Sequence, residues 1–154
     1  MALGLYRRNG EEVVREQRLE LDVDGDRTEV PELIGVAHPD LLLLNDDDLS
    51  YAKIRLDAVS LATASDALGN FPSSLARGLV WGAIWDATRD GELPASDFID
   101  IALAHLGRET GSTTLRTVLG QLLLASGSYV APERRAETLV RVADGLWQLA
   151  VDAD

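Results

Sequence analysis

The stretch LLLLNDDDLSYAKIRLD, residues 41–57, lies where the hydrophobic pattern of the chain changes. Up to residue 56, apolar residues alternate with polar ones or form short runs, which is typical of β-strands. After Asp57 they recur every three or four residues, which is typical of amphipathic helices. The sequence therefore predicts an α+β fold by segregation. A short antiparallel sheet or sandwich portion at 1–56 is followed by an all-α, antiparallel, HEAT-like portion at 57–154.

Five short antiparallel strands are expected before residue 57. Asn9-Gly10 between GLYRR and EEVV predicts a hairpin, because both central residues of a type I′ turn need positive φ. Residues 19–24 alternate strictly, as one half-buried face requires. The other candidates are an edge strand at 28–35 containing Pro31, a strand at 41–44 buried on both faces, and an alternating strand at 51–56.

Five helices joined by short loops are expected after that point. The first covers 57–68. The second and fifth are expected to open at Pro72 and Pro132, the third has Pro94 at its first helical position, and the fourth is capped by Ser112. The second is predicted to be buried centrally, since it is apolar around most of its circumference; these residues are Leu75, Leu79, Trp81, Ile84 and Trp85. The fifth has a predicted core stripe of Leu139, Val142, Ala143, Leu146 and Ala150.

Composition excludes several classes of function. The net charge of −12 repels phosphate backbones and disfavours nucleic-acid binding. The absence of cysteine removes disulfides, thiolate zinc sites and a cysteine nucleophile. No signal peptide is expected, because Arg7 and Arg8 follow only a few apolar residues, and no run reaches the ~18 apolar residues of a membrane span. We therefore expect a cytoplasmic protein without membrane partners.

The acidic run at 46–48 does not match a calcium loop. Counting from Asp46, an EF-hand would need glycine sixth and glutamate twelfth, where this chain has Tyr51 and Asp57. A turn held by hydrogen bonds from Asx side chains to their own backbone is the expected structure.

The remaining candidates for chemistry are scattered. His38 and His105 are too far apart in sequence to form H-E-x-x-H, and G-x-S-x-G and the glycine-rich phosphate loops are absent. Trp81 and Trp85 could stack on a ligand, but core packing is the expected role. Arg89, near Asp90, is expected to pair with Asp86 at helical spacing. We therefore predict no catalytic residue and no metal ligand in this chain, and we assign no substrate-binding residue.

The segment 41–57 resembles the junction between the β-sandwich and helical domains of zinc aminopeptidase N, a gluzincin family, in its actinobacterial type. The resemblance continues upstream through LYRRNGEEVVREQRLELDVDGDRTEVPELIG and downstream through SLARGLVWGAIWDATRDGELPASDFIDIAL. W-x-x-x-W-D-x-x-R-D-G-x-L is its most family-like downstream pattern. The last 40 or so residues are less distinctive.

The resemblance implies that this chain is a non-catalytic fragment of such an enzyme. It would be the C-terminal part of the β-sandwich domain, at 1–56, and the first part of the helical lid domain, at 57–154. Apolar residues almost at both chain ends agree with a segment cut from something longer. In the family, zinc is held by H-E-x-x-H and a downstream Glu, and the substrate amine by G-A-M-E-N. Neither motif occurs here, and Met1 is the only methionine.

The implied role is to brace and cover the parent's zinc-containing catalytic domain, which removes N-terminal residues from peptides. The implied partners are that catalytic domain, within the same polypeptide, and its peptide substrates, with self-association of the fragment as a further expectation. A stand-alone helical module that binds proteins or peptides is the alternative. An independent hydrolase would need an unnoticed cluster around His38 or His105.

Overall fold

The computed structural model describes residues 1–152. Within this range a three-stranded antiparallel sheet precedes five α-helices, which confirms the predicted fold class. The strands are β1 (Ala2–Asn9), β2 (Glu12–Glu20) and β3 (Leu41–Leu44), and β1 lies between the other two. The helices are α1 (Ala58–Ala67), α2 (Ser74–Arg89), α3 (Ala95–His105), α4 (Ser112–Leu124) and α5 (Arg135–Asp152).

The predicted hairpin forms between β1 and β2, but its turn is displaced by one residue. Asn9 pairs with Glu12, so the two turn residues are Gly10 and Glu11. Gly10 has a φ of 62°, and neither Asn9 nor Glu11 has positive φ. The type I′ turn predicted at Asn9-Gly10 is therefore wrong, because glycine alone takes the left-handed conformation here.

The second strand is shorter than predicted. Ala2 pairs with Glu20, and the N–H of Leu21 then donates to the carbonyl of Met1 at 2.9 Å. β1 offers no further residue for pairing, so the alternation up to residue 24 continues outside the sheet. An alternating pattern marks the faces of a segment, but only a partner strand makes it part of a ladder.

Two other predicted strands do not form. Residues 28–35 contain the 3₁₀ helix Pro31–Leu33, since the fixed φ of proline suits a helical first turn and its missing N–H disfavours a ladder. Residues 51–56 are irregular, because both edges of β1 are already paired and this segment joins neither outer strand. β3 forms as predicted, with one face fully buried and the other half-buried rather than both buried.

The helices begin close to the predicted positions. Asp57, predicted as the first residue of the first helix, is instead the N-cap of α1, and Pro94 and Gly111 are the N-caps of α3 and α4. Pro94 and Ser112 are therefore each one position from their predicted roles. Pro132 opens a 3₁₀ turn that leads into α5. The π-helical turn Ala125–Tyr129 that ends α4 was not predicted.

The chain divides into two compact units, Met1–Ala83 and Ile84–Asp154. The larger buried residues of the first include Leu3, Leu5, Tyr6, Leu41, Leu43, Leu68, Phe71 and Trp81. Those of the second are Ile84, Trp85, Phe98, Ile99, Leu106, Val118, Leu122 and Val142. The domain boundary predicted between 56 and 57 stays a prediction.

Burial differs from prediction in α2 and α5. Leu75, in the first turn of α2, is exposed, although Trp81 and Trp85 are buried as expected. In the predicted core stripe of α5 only Val142 is buried, Leu146 is half-buried, and the other members are exposed.

The buried face of α5 is set by a close approach to α3. A Cβ on Gly145 would lie 2.8 Å from Cδ2 of Leu103, and one on Gly107 would lie 2.9 Å from Cδ2 of Leu149. These glycines let α5 pack through Val142, Gly145 and Leu149. The helix carries more apolar residues than this face can bury, so a second apolar face is left outside.

Candidate functional site

The turn after β3 has an unusual backbone. Asn45, Asp47 and Asp48 have φ values of 57°, 65° and 55°, in the left-handed region that non-glycine residues seldom occupy. The Asn45 side chain closes the turn. Its Oδ1 accepts from the N–H of Ser50 at 2.9 Å, and its Nδ2 donates to the Ser50 carbonyl at 2.6 Å. The predicted turn with Asx-to-backbone hydrogen bonds is confirmed.

Asp46, in the same turn, is buried and fully engaged, with 1% of its surface exposed. Its Oδ1 accepts from the hydroxyl of Tyr6 at 2.9 Å, and its Oδ2 accepts from Nη1 of Arg15 at 2.9 Å. Burial, and then the Asp46 carboxylate, raise the pKa of Tyr6 above its usual value. The phenol therefore stays protonated and serves as a donor.

Asp47 lies beside two guanidinium groups of β2. It accepts from Nη1 of Arg15 at 2.8 Å and from Nε of Arg18 at 2.6 Å. These hydrogen bonds, from Arg15 first, lower the pKa of the Asp47 carboxyl. Together with Tyr6 and Asp46 they form a network, the Asp46 network, that ties β1 and β2 to the turn after β3. Its carboxylates are occupied by protein donors rather than aimed at a common point.

Asp57, at the end of the segment, caps α1. One oxygen accepts from the N–H groups of Val59 and Ser60 at 2.9 Å each, and the other accepts from the Ser60 hydroxyl. Burial acts to raise the pKa of Asp57. The hydrogen bonds from Ser60 and from the N–H of Val59 favour the carboxylate, as does the electrostatic effect of the nearby His38. Together they outweigh burial and lower the pKa.

The two histidines belong to different compact units. His38 has Nε2 3.7 Å from Oδ2 of Asp57 and Nδ1 2.7 Å from the carbonyl of Pro39. His105 is the last residue of α3 and is buried. Over residues 1–152, no three or more His, Asp or Glu side chains converge as metal ligands would. The predicted lack of catalytic and metal residues stays a prediction.

The tryptophan pair lies in buried surroundings. The ring of Trp85 lies 5.1 Å from that of Phe98 and 5.8 Å from that of Tyr129, and Trp81 is also buried. The expected core role is therefore confirmed, and sequence reasoning missed the partner Tyr129. The ion pair predicted between Asp86 and Arg89 is not formed among the residues that the structure describes.

A cavity of about 300 Å³ lies in the second compact unit, between the start of α3, the π-helical turn and the start of α5. Its polar lining residues are Ser96, Tyr129, Arg134, Thr138 and Arg141. Arg141 is ion-paired with Asp100. No histidine or carboxylate is among its lining residues. Sequence reasoning could not find it, because the π-helical turn that brings Tyr129 there has no simple sequence signal.

Comparison with known proteins gives two matches. The family model of the ERAP1-like C-terminal domain matches residues 41–153. Aminopeptidase N of Streptomyces lividans is 46% identical over 142 residues, which is 92% of this chain. The matched region is 17% of that relative, so the chain spans only a small part of its length.

These matches define the class of protein. The chain belongs to the ERAP1-like C-terminal domain family, because the family model covers well over half of it. The resemblance to aminopeptidase N noted in the sequence is confirmed by the Streptomyces lividans relative. The family match begins at residue 41, the first residue of the segment that carries the change of pattern.

Proposed function

We propose that this chain is a non-catalytic part of a zinc-dependent aminopeptidase, in which it braces and covers the catalytic domain. The observation that carries the proposal is the match to a C-terminal domain family together with 46% identity to an aminopeptidase N. The chain contains neither H-E-x-x-H nor G-A-M-E-N. Catalysis is therefore assigned to a region of the enzyme outside these residues.

The Asp46 network supports the bracing role. Tyr6 and Arg15 bind the buried Asp46, while Arg15 and Arg18 bind Asp47. Charge-assisted hydrogen bonds of this kind are shorter and stronger than neutral ones. They hold the segment that leads into α1 against the hairpin. A segment that braces a catalytic domain is expected to be rigid in this way.

Zinc belongs, in this proposal, to the catalytic domain. This chain lacks the H-E-x-x-H motif, and over residues 1–152 no group of three or more His, Asp or Glu side chains converges as zinc ligands would, which supports assigning the zinc elsewhere. The proposed partners are the catalytic domain of the same polypeptide and the peptides that it trims. We place the enzyme in the cytoplasm and propose neither nucleic-acid nor membrane binding. None of the helices described is both long enough and apolar enough to cross a bilayer.

Two experiments test the proposal. The isolated chain should not hydrolyse aminoacyl-anilides, with or without added zinc, and turnover that a chelator abolishes would overturn it. In a chimaera, this chain replaces the matching segment of the Streptomyces lividans enzyme. The chimaera should keep chelator-sensitive aminopeptidase activity. A folded chimaera that binds zinc but trims no peptide would contradict the assigned place of the segment.

A stand-alone interaction module is the second candidate, favoured by the exposed apolar face of α5. Sedimentation and binding of an apolar dye discriminate the two. A chain that lacks its neighbours should self-associate through apolar surface. A chain that stays monomeric, although the apolar face of α5 is open to the dye, favours the module.

A further inference from the structure

The dipeptide Asn9-Gly10 is a sequence motif that the proposed function does not use. Asn9 is the last residue of β1, and Gly10 is the first of the two turn residues. Residues 8–12 are all exposed. Gly10 has a φ of 62°, and a Cβ there would meet nothing within 4 Å beyond its chain neighbours. The end of the hairpin therefore leaves the peptide bond between Asn9 and Gly10 accessible to water in this chain.

The side chain of Asn9 and the N–H of Gly10 are free of hydrogen bonds. Over residues 1–152, the Asn9 carboxamide neither donates nor accepts a hydrogen bond, and the Gly10 N–H has no acceptor. Asn45 is the opposite case. Its carboxamide binds the N–H and the carbonyl of Ser50, and the residue is only 2% exposed. Of these two asparagines, Asn9 alone is unrestrained at its side chain.

Glycine and the hairpin end together favour cyclisation at this position. Gly10 has no Cβ to crowd the approach of its own nitrogen to the Asn9 side chain. The terminal pair of a hairpin is also the easiest to open, and here that pair is Asn9 with Glu12. When the pair opens, the Asn9 side chain is free to turn toward the Gly10 nitrogen. The turn thus supplies an unhindered nucleophile and a backbone that moves.

We propose that Asn9 is a site of spontaneous modification, at which water converts the asparagine to aspartate and isoaspartate. The Gly10 nitrogen attacks Cγ of Asn9, so the N–Cγ bond forms and the Cγ–Nδ2 bond breaks. The displaced amide leaves as ammonia and takes the proton of the Gly10 N–H. Water then opens the resulting succinimide ring. Cleavage between the nitrogen and Cγ gives aspartate, and cleavage between the nitrogen and the Asn9 backbone carbonyl carbon gives isoaspartate.

The products change both the charge and the length of the turn. Each replaces a neutral amide with a carboxylate, next to the exposed Glu11 and Glu12. The isoaspartyl form also routes the backbone through the former side chain, which lengthens the turn by a methylene group. Since turn length sets the register of a hairpin, this form opposes the pairing of Asn9 with Glu12.

The test incubates the full chain at mildly alkaline pH in heavy-oxygen water, followed by tryptic digestion in ordinary water and mass spectrometry. Peptide 9–15 should lose its amide and gain a labelled oxygen, in two products of equal mass that chromatography separates. One of the two should accept a methyl group from an isoaspartyl methyltransferase. The peptides that contain Asn45 and Asn70 should stay unlabelled. Labelling at residue 9 no faster than at those two would overturn the proposal, and so would aspartate as the single product.

A variant and an unfolded control connect the chemistry to the turn. Asn9→Gln keeps a neutral amide in the same place but needs a larger ring, so residue 9 of this variant should stay unlabelled. In urea, residue 9 of the unmodified chain should be labelled at most severalfold faster than in the folded chain, because the folded turn already exposes it. Labelling confined to the urea sample would show that the hairpin protects Asn9, and the proposal would be wrong. The inference does not depend on the aminopeptidase role, since neither readout measures peptide hydrolysis.

Discussion

The hydroxyl of Tyr6 donates a 2.9 Å hydrogen bond to the carboxylate of Asp46, 40 positions further along the chain. Both residues are buried, and Arg15 binds the second carboxylate oxygen. One acidic side chain thereby joins β1, β2 and the turn after β3. A buried carboxylate is costly unless it is fully hydrogen-bonded, so each partner matters to the others.

Replacing Asp46 should destabilise the first compact unit. Asp46→Ala leaves the Tyr6 hydroxyl buried without its acceptor and is expected to reduce the free energy of unfolding by about 2–3 kcal/mol. Urea denaturation followed by circular dichroism measures the loss. Asp48→Asn is the matched control, because Asp48 accepts only a long bond from Asn45, at 3.3 Å, and asparagine tolerates positive φ. A loss as large in the control would mean that the turn, rather than the network, is being perturbed.

Gly4 has no room for a side chain, so a substitution there is predicted to lower the stability of the fold. A Cβ there would lie 2.7 Å from Cγ of Asp46 and 2.7 Å from Cε2 of Tyr6. Gly4→Ala should therefore cost about 1–3 kcal/mol of stability, through displaced side chains. Gly82→Ala is its opposite, since the added Cβ would meet nothing within 4 Å beyond the adjoining backbone of α2, and it should stabilise by about 0.5–1 kcal/mol. Thermal melts of the two variants should move in opposite directions, and a Gly4→Ala variant that melts no lower than the unmodified chain would contradict the packing around Gly4.

Trp85 and Trp147 should differ sharply in their contribution to stability. Trp85 packs on Phe98 and Tyr129 and is 7% exposed, so Trp85→Ala should cost about 3–5 kcal/mol. Trp147 is exposed, so Trp147→Ala should change stability by less than about 0.5 kcal/mol. Chemical denaturation of each variant provides the comparison. A thermal shift of only a degree or so for Trp85→Ala would place that ring outside the core.

Acid should weaken the fold partly through Asp47. Its pKa is lowered in the folded chain by hydrogen bonds from Arg15 and Arg18. A group of this kind contributes stability above its unfolded pKa of about 3.9, and the contribution is lost as the pH falls through the folded pKa. Asp47→Asn should therefore lose less stability than the unmodified chain as the pH is lowered from about 6 to about 3. The difference should be modest and reduced by salt, because Asp47 is partly exposed. Parallel acid-denaturation curves would show that Asp47 is not the group responsible.

Local sequence patterns predicted much of the fold. The change of period at Asp57 and the glycine, proline and serine positions predicted five helices close to where they lie. The segment 41–57 also carried the family resemblance that the comparisons confirm. These signals are local because helix caps and amphipathic periodicity depend on residues within one or two turns.

Strand pairing and the exposure of α5 were decided only by the tertiary structure. Residues 51–56 alternate as a strand should, yet both edges of β1 were already taken by β2 and β3. The partners of Asp46 come from strands about 30 and 40 positions earlier, which no local pattern reveals. The apolar pattern of α5 likewise did not say which face would be buried. Close packing at Gly145 and Gly107 selected one face, because two helices can touch along only one stripe, and it left Trp147 in solvent.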